Sequence, residues 1–295
     1  MGFEIPQELR TKLTKFRTSW RPFPDVTLHY STTSWEGGQR MASEGKWHSS
    51  RPLTHLTPGD VLAVRVNQPF ATPDDPLKLF EITEPATTLP PPAAKAEWEK
   101  SPFGGARFAS DRGYFPHILD HLKPMSRSEL MQHFVAPPSE TLIDLIKLAR
   151  EISEMSNCVR MHFGALILET GRIASIGFNH TYFGFQKDHC EPCLRQELGI
   201  KSGHELEVCR AMHAEGSAIT FAQNHLKQID FGLMVVAGMN PKGVPFDNPQ
   251  FYCTLCSRTL SAIHGLQAIV TSTNEGPKIR PTNEVVDESF SFLTA

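Results

Sequence analysis

The stretch FGALILETGRIASIGFN, residues 163–179, combines two β-strand patterns with a tight turn between them. Its two halves, FGALIL (163–168) and IASIGFN (173–179), are rich in the apolar and β-branched residues that strands favour. The four residues Glu169-Thr170-Gly171-Arg172 separate them, and a connection this short joins antiparallel neighbours. We therefore predict a β-hairpin in the second half of the chain.

Helix and strand patterns continue on both sides of this hairpin. Helices are predicted to start near His213 and near Cys253, and strands are predicted at LMVVAG (233–238) and AIVTS (268–272). The order α-β-β-α-β-α-β predicts an α/β layered domain with a mixed sheet, because its first two strands form a hairpin. The first helix of that order precedes the hairpin and shows apolar residues at three- and four-residue steps: Leu142, Leu145, Ile146, Ala149, Ile152 and Met155.

Two short motifs at the predicted helix starts contain metal-binding residue types. His213-Ala214-Glu215 opens one helix, and Cys253-Thr254-Leu255-Cys256 opens the next. One imidazole and two thiolates suit a catalytic zinc, which keeps a fourth position open for water, and helix N-termini favour thiolate over thiol. Taken singly, His213 is also consistent with a helix-capping histidine, and the C-x-x-C with a redox pair or half of a structural zinc site. Both motifs together, in this order after the hairpin, favour catalytic zinc.

The segment from about 139 to 272, a little under half of the chain, resembles the cytidine/deoxycytidylate deaminase family. This resemblance implies a three-layer αβα fold and the hydrolytic release of ammonia from an amino-substituted base. It implies a zinc ion bound by His213, Cys253 and Cys256, with Glu215 as the residue that moves protons. The stretches that carry it are NCVRMHFGALILETGRIASIGFN (157–179), CRAMHAEGSAI (209–219) and YCTLCSRTLSAIHGLQAIV (252–270).

The resemblance also implies substrate contacts. Asn179 is expected to hydrogen-bond the sugar or the base, and the backbone at Ala214 is expected to approach the base. Tyr252 stands where the family usually has proline, and a tyrosine there would narrow the pocket or stack on the base. The stretch HTYFGFQKDHC (180–190) replaces the Gly-rich, phosphate-contacting stretch of deoxycytidylate deaminases, which weakens a nucleoside-monophosphate interpretation. The family likeness further suggests a homo-oligomer.

Four more cysteines lie near these motifs in sequence: Cys158, Cys190, Cys193 and Cys209. Similar cysteines occur in the deoxycytidylate and competence-type branches of the family, where some members bind a second, structural zinc. Four thiolates would close a tetrahedral site and fix the long loop of residues 180–212 beside the pocket. His189 or His204 could replace one thiol, and four buried thiols without metal are the alternative.

Residues 1–135 read as a smaller, β-rich α+β domain, and residues 136–295 as the zinc-dependent deaminase domain. Strands are predicted at 26–30, 61–66 and 78–83, and a short helix at PHILDHL (116–122). The N-terminal domain contains all four tryptophans, Trp20, Trp35, Trp47 and Trp98, among basic residues. Aromatic and basic side chains could stack on and clamp single-stranded bases, although they are equally the core of a small domain.

Composition excludes some classes of protein. No run of about 18 apolar residues and no apolar leader pattern is present, which favours a cytoplasmic protein without a membrane span. In a reducing compartment six cysteines are metal ligands or free thiols more often than disulfides. The formal net charge of −3 provides no overall field for nucleic acid.

Three functions therefore remain open at the level of sequence. The first is deamination of a base within RNA or single-stranded DNA, favoured by the additional domain. The second is deamination of a free nucleotide such as dCMP. The third is nucleic-acid binding by a deaminase fold without catalysis, which Tyr252 keeps open.

Overall fold

The computed structural model describes residues 4–34, 41, 45, 47–49, 56–67, 77–85, 87–88, 117–119, 122–181, 190–201, 204–224, 229–247, 253–263 and 265–292. The chain forms two compact units. The larger unit comprises Met1–Pro22 and Ala136–Ala295, and the smaller unit comprises Phe23–Val135. The sequence interpretation assigned residues 1–22 to the N-terminal domain, whereas in the structure they belong to the larger unit.

Helix α1 (Gln7–Lys15) explains where residues 1–22 belong, because it packs on the larger unit. The Lys12 ammonium lies 3.0 Å from the Glu151 carboxylate. The Thr18 amide donates to the Gly171 carbonyl at 3.1 Å. The indole of Trp20 is buried, with 6% of the residue exposed. These contacts connect the N-terminal segment to the predicted helix that contains Glu151 and to the turn of the hairpin.

The smaller unit is built mostly of strands. Its main sheet has the order β1-β3-β4-β7, in which β1 runs parallel to β3 and the other pairs are antiparallel. Its second sheet has the order β2-β6-β5. The elements are β1 (Leu28–Ser34), β2 (Trp47–Ser49), β3 (Val61–Asn67), β4 (Leu77–Ile82), β5 (Thr87–Thr88), β6 (His117–Leu119), β7 (Leu122–Met125) and α2 (Arg127–Met131).

The three strands predicted in this unit are confirmed with shifts of one to four residues at their ends, but the predicted helix PHILDHL is wrong. That segment contains β6 and the start of β7 instead. Pro124 explains part of this outcome, because it lacks an amide hydrogen and breaks helices, whereas an edge strand tolerates it. Among the described strands, β7 pairs with β4 alone and so lies at the edge of the main sheet.

The larger unit is an α/β structure around a mixed sheet of order β15-β14-β12-β8-β9, with β13 paired to β12. Strands β12 and β14 are parallel, and the other pairs are antiparallel. The elements are α3 (Ser139–Ser153), β8 (His162–Glu169), β9 (Arg172–Phe178), β10 (His180–Thr181), α4 (Leu194–Glu197), β11 (Ala211–Met212), α5 (Ala214–Asn224), β12 (Gly232–Met239), β13 (Pro245–Phe246), α6 (Thr254–Ser261), β14 (Leu266–Thr273), β15 (Gly276–Pro281) and α7 (Thr282–Phe292).

Two glycines show that helices cover both faces of this sheet. A Cβ on Gly164 would meet the Ala149 carbonyl of α3, while a Cβ on Gly177 would meet the Ala218 amide of α5. Gly177 pairs with Ala165 across the hairpin, so these two residues point to the same face, and the neighbouring Gly164 points to the other. Helices α3 and α5 therefore lie on opposite faces, which confirms the predicted αβα class with a mixed sheet.

The core on the α5 side also includes α6 and α7. It is formed by residues with less than 5% exposure from both sheet and helices, among them Ile167, Ala218, Leu260, Ile269 and Val285. None of the described helices is both long and apolar enough to span a membrane.

Candidate active site

The two helix starts identified in the sequence lie side by side in the structure. His213 directly precedes α5, and Cys253 is the N-cap of α6. Cys253 has an extended backbone, with φ −86° and ψ 94°, and its sulfur accepts a hydrogen bond from the Cys256 amide at 3.4 Å. The C-x-x-C spacing therefore places both sulfurs at the first turn of one helix, where the positive end of the helix dipole stabilises thiolate.

The imidazole and the two sulfurs form a tight cluster. His213 Nδ1 lies 3.0 Å from Cys253 Sγ and 3.3 Å from Cys256 Sγ, and the two sulfurs are 3.1 Å apart. Three ligand atoms at these spacings can share one ion with zinc–nitrogen and zinc–sulfur bonds of about 2.0–2.3 Å. Among the described residues, this is the one group of three or more histidine, cysteine or carboxylate side chains close enough to hold a metal ion. The donor set fits zinc.

The charges of the cluster are coupled through hydrogen bonds. A hydrogen bond between the Cys253 and Cys256 sulfurs lowers the pKa of Cys253 to about 5. Burial and this same hydrogen bond raise the pKa of Cys256 well above its usual value. Burial lowers the pKa of His213, but hydrogen bonds to the sulfurs of Cys209 and Cys253 outweigh it and hold that pKa well above the usual value.

Glu215 is the second residue of α5 and the only carboxylate among the described residues that line the adjoining cavity. It is 8% exposed, and burial raises the pKa of its carboxyl group. Its carboxyl group also interacts with the Cys256 thiol. The structure therefore places the predicted proton carrier directly beside the predicted ligands.

Close packing against β9 holds the start of α5 in place. A Cβ on Gly177 would lie 2.1 Å from the Ala218 amide nitrogen and 2.4 Å from the Ala214 carbonyl oxygen, so only glycine permits this approach. The Ser175 hydroxyl donates to the Ala218 carbonyl at 2.7 Å. The helix that follows His213 is therefore fixed to the sheet through backbone contacts.

The sequence interpretation missed a buried histidine that also contacts the start of α5. His180 lies at the end of the hairpin with 1% exposure, and burial lowers its pKa, which favours the neutral ring. Its Nδ1 lies 2.7 Å from the Thr181 carbonyl and its Nε2 lies 3.3 Å from the Ser217 hydroxyl. The Ser217 amide donates to the His213 carbonyl, so this contact reaches the first turn of α5.

A cavity of about 340 Å³ opens beside the cluster. It is lined by the His213 and Cys253 side of the cluster, by Glu215, and by the two predicted substrate-contact residues Asn179 and Ala214. Ala214 is fully buried at the helix start, where backbone amides lack partners within the helix. The apolar walls of the cavity include Val159, Met161, Phe163, Leu194, Val236 and Phe246.

Asn179 has structural partners on both sides of its amide group. Its Oδ1 accepts from the Phe163 amide at 2.6 Å, and its Nδ2 donates to the Met161 carbonyl at 2.8 Å. One lone pair and one hydrogen of the amide remain for a ligand, so contact with substrate stays a prediction. Tyr252 lies outside the described residues.

The four remaining cysteines line the same cavity. No three of their sulfur atoms lie within 4.8 Å of one another, so the structure gathers them without forming a closed ligand set. Burial, followed by the neighbouring Cys158, Cys209 and Cys193 sulfurs, raises the pKa of Cys190 to about 11. His189 lies outside the described residues, and the second zinc stays a prediction.

Three arginines in the cavity wall were not singled out from the sequence: Arg160, Arg195 and Arg210. Each follows a cysteine by one or two residues, Arg195 in the short helix α4 and the other two in irregular segments, and that proximity to Cys158, Cys193 and Cys209 was the available indication.

The fold and this cluster together define an α/β protein with a His/Cys/Cys candidate metal centre at two helix starts. No protein-family model matches the chain, and no curated protein matches it. Among solved structures, the chain is similar to dCMP deaminase from the cyanophage S-TIM5. The apo form shows 22% identity over 45% of this chain and 82% of that chain, with a TM-score of 0.32. The complex with dCMP and dUMP shows 23% identity over the same shares, with a TM-score of 0.31.

Proposed function

We propose that the chain is a zinc-dependent hydrolytic deaminase that acts on an amino-substituted nucleobase. The supporting observation is the His213/Cys253/Cys256 cluster, whose three ligand atoms lie 3.0–3.3 Å apart, with buried Glu215 beside it in the wall of one cavity. Zinc-dependent base deaminases use this arrangement: one histidine and two cysteines as ligands, and beside them a glutamate that is not a ligand.

The reaction replaces an amino group with a carbonyl oxygen. Zinc, when bound by the cluster, would act as a Lewis acid that makes water nucleophilic near neutral pH. Glu215 would take one proton from that water and pass it to the ring nitrogen of the base while the remaining hydroxyl adds to the ring carbon. Glu215 would then carry the proton of this hydroxyl to the amino group, so that the carbon–nitrogen bond breaks, the carbonyl forms and ammonia leaves. Ala214 and Asn179 would position the base in the cavity.

The smaller unit, residues 23–135, which forms most of the N-terminal domain predicted from the sequence, favours a base within RNA or single-stranded DNA as the substrate, with a free nucleotide as the alternative. A base in a polynucleotide must be unstacked to enter a cavity of this size. Stacking on the tryptophans cannot involve Trp20, because its side chain is in the core. The side chains of Trp35, Trp47 and Trp98 lie outside the described part of the chain. A deaminase fold that binds nucleic acid without turnover is the third candidate.

A second, structural zinc bound by Cys158, Cys190, Cys193 and Cys209 is part of this proposal. The four cysteines line one cavity, and ion binding would draw their sulfurs together. Metal analysis of the purified protein should then give two zinc ions per chain, and the double variant Cys190→Ser/Cys193→Ser should give one. One zinc in the unaltered protein contradicts the second site and leaves the first intact.

The central test incubates zinc-loaded protein with cytidine, dCMP, and oligonucleotides that contain cytosine, adenine or guanine, and measures ammonia release and product mass. Glu215→Gln should keep its zinc and lose activity by about 100-fold or more. Cys256→Ser should lose the metal itself.

Each result of this test separates the candidates. Ammonia from dCMP alone excludes the polynucleotide substrate. No turnover of any substrate by zinc-loaded protein favours the non-catalytic function. Full activity in Glu215→Gln, or activity in a metal-free Cys256→Ser protein, contradicts the assigned roles.

A further inference from the structure

We infer that His180 is a positioning residue for the reaction: its neutral ring holds the Ser217 hydroxyl and thereby fixes the start of α5, where His213 and Glu215 lie. The kinetic consequences of this inference rest on the proposed function, whereas its consequences for metal binding can be measured without turnover. His180 is not among the described residues that line the cavity, so it acts through other residues rather than on the substrate.

The backbone of His180 lies beside the residues that lead into the cluster. Strand β10 begins at His180 and pairs antiparallel with β11, and His180 is the partner of Met212 in that ladder. Met212 directly precedes His213. The main chain on the N-terminal side of the candidate ligand is therefore fixed by β pairing to the segment that follows the hairpin.

The ring of His180 contacts the helix on the other side of His213. Its Nε2 lies 3.3 Å from the hydroxyl of Ser217, which is fully buried one turn after His213. Phe221 lies a further turn along the same face of α5 and stacks on the ring, with centroids 6.3 Å apart and an interplanar angle of 14°. His180 therefore contacts the chain both immediately before and shortly after the candidate ligand.

The surroundings of His180 determine which ring nitrogen carries the hydrogen. Nδ1 lies 2.7 Å from the Thr181 carbonyl, which can only accept, so the hydrogen is on Nδ1. In a neutral ring Nε2 then lacks a hydrogen and accepts one from the Ser217 hydroxyl. Burial lowers the pKa of His180, which keeps the ring neutral. A single tautomer follows, and it directs the Ser217 hydroxyl toward the ring.

This direction is important because a serine inside a helix has a competing acceptor one turn earlier. For Ser217 that acceptor is the His213 carbonyl, which already accepts from the Ser217 amide at 2.9 Å. A serine hydroxyl that bonds to the carbonyl one turn earlier weakens a helix and often bends it. In the described part of the chain, the Ser217 hydroxyl is bonded to His180 instead. The ring therefore keeps the helix start regular where His213 and Glu215 need fixed positions.

Two substitutions of His180 separate the roles of its two nitrogens. His180→Asn places an amide near the position of Nδ1 and leaves the Ser217 hydroxyl without its acceptor, whereas His180→Gln places an amide oxygen near the position of Nε2. We expect His180→Asn to bind zinc about 10-fold more weakly in competition with a chelator, the lower end of the range for outer partners of a metal site. His180→Gln should recover most of this loss.

Removing the serine tests the role of the hydroxyl itself. Ser217→Ala has nothing to donate to the His213 carbonyl, so the double variant His180→Asn/Ser217→Ala should bind zinc more tightly than His180→Asn. Ser153→Ala is the matched control, because it removes another fully buried hydroxyl from α3, on the opposite face of the sheet. Ser153→Ala should lose about as much stability in urea as Ser217→Ala and should keep its zinc affinity.

Two further measurements report geometry instead of stability. The visible spectrum of the cobalt-substituted protein depends on how the imidazole and the thiolates surround the ion, so His180→Asn should shift its bands while Ser153→Ala should not. With the substrate that the central test identifies, His180→Asn should lower kcat by up to about 100-fold. It should change KM little, because the described cavity walls do not include His180.

Three results would overturn the inference. Zinc affinity, cobalt spectrum and kcat of His180→Asn equal to those of the unaltered protein would show that the ring positions nothing. Equal losses of zinc affinity in Ser153→Ala would show a general effect of stability. A double variant that binds zinc no better than His180→Asn would contradict the role given to the Ser217 hydroxyl.

Other outcomes keep this test separate from that of the proposed function. If the unaltered protein turns over no substrate, the proposed function fails, while zinc affinity and the cobalt spectrum still decide the role of His180. If His180→Asn does not fold, His180→Gln decides it: a folded His180→Gln protein that binds zinc about 10-fold more weakly contradicts the inference, and one that keeps its zinc affinity supports it.

Discussion

Asn179 has a structural role and a predicted chemical one, because its amide holds the backbone at Met161 and Phe163 and the residue also lines the cavity. We expect Asn179→Ala to lower the free energy of unfolding by about 1–3 kcal/mol, since two backbone groups lose their partner. We also expect it to raise KM. Urea unfolding and steady-state kinetics measure the two effects.

A neighbouring asparagine gives the matched control for this variant. Asn157 also uses both sides of its amide, donating to the Thr181 hydroxyl and accepting from the Thr181 amide, but it does not line the cavity. Asn157→Ala should therefore lose similar stability and keep its KM. If both variants lose stability equally and KM is unchanged in both, Asn179 is structural only.

The candidate metal-binding residues could be predicted from sequence because their signals are local. Short-range structure places the histidine before one helix and the two cysteines at the start of another, and the order of the strands then brings the two helix starts together. Arg160 and Arg195 could not be predicted in this way. Arg160 lies in an irregular segment and Arg195 in the four-residue helix α4, and neither segment shows a periodic pattern; Arg195 is held by carbonyls six and nine residues further along the chain.

At the scale of elements, the approach of α5 to β9 should be the most sensitive packing contact of the site. Gly177→Ala would place a Cβ 2.1 Å from the Ala218 amide nitrogen, so the helix must move away from the sheet. We expect a loss of about 1–3 kcal/mol in unfolding free energy and weaker zinc binding, because His213 moves with the helix. Urea unfolding and zinc titration against a chelator measure these effects.

Gly216→Ala is the control within the same helix. A Cβ there would meet only the Met212 Cγ at 3.8 Å, an ordinary contact. This substitution should be neutral or should stabilise the protein by about 0.5–1 kcal/mol, since alanine is the better helix former. If the Gly177→Ala variant unfolds at the same urea concentration as the unaltered protein, the helix start can relax without loss of stability.

In the smaller unit, Asp60 stabilises the turn that precedes β3. Its Oδ2 accepts from the Thr57 amide at 2.9 Å and from the Thr57 hydroxyl at 3.1 Å, and lies 2.9 Å from His29 Nε2. Burial opposes the charge, but these hydrogen bonds outweigh it and lower the pKa of Asp60. A lowered carboxyl pKa stabilises the fold above the unfolded value of about 4, and that contribution is lost as pH falls through the lower folded value.

Asp60→Ala should therefore reduce the stability of the smaller unit by about 1–3 kcal/mol at pH 7, and the difference from the unaltered protein should shrink below about pH 4. Urea unfolding at a series of pH values measures this. Asp25→Ala removes an exposed carboxylate in the same unit and should change little. A difference that stays constant down to pH 2 would contradict the charged role of Asp60.

Elements were predictable where the periodicity was strong. The hairpin and strands β12 and β14 of the larger unit lie within two residues of their predicted bounds, because they are buried apolar runs. Strand β15 and helix α7 were not predicted. The apolar residues of α7 are few, and Val285 reaches the core because α7 packs against α6 and against β14. Tertiary contacts determine whether such elements form, and a local sequence pattern does not indicate those contacts.

At the scale of the whole molecule, the chain crosses from one compact unit to the other between Pro22 and Phe23. Trp20 is 6% exposed within the larger unit, and Phe23 is 4% exposed within the smaller unit, where its ring contacts Phe134. Trp20→Ala should remove about 3–5 kcal/mol of stability from the unit that holds the His213/Cys253/Cys256 cluster. Zinc release on heating, followed with a chromogenic chelator, should then occur at a lower temperature.

Phe23→Ala separates this effect from a general loss of stability. Phe23 is also a buried aromatic residue, and it lies only three residues from Trp20. Because Phe23 belongs to the smaller unit, its substitution should destabilise that unit and leave the temperature of zinc release near that of the unaltered protein. Equal shifts in both variants would show that the two units unfold together. An effect in Phe23→Ala alone would contradict the assignment of residues 1–22 to the larger unit, because the buried indole would then contribute nothing to the stability of the fold around His213, Cys253 and Cys256.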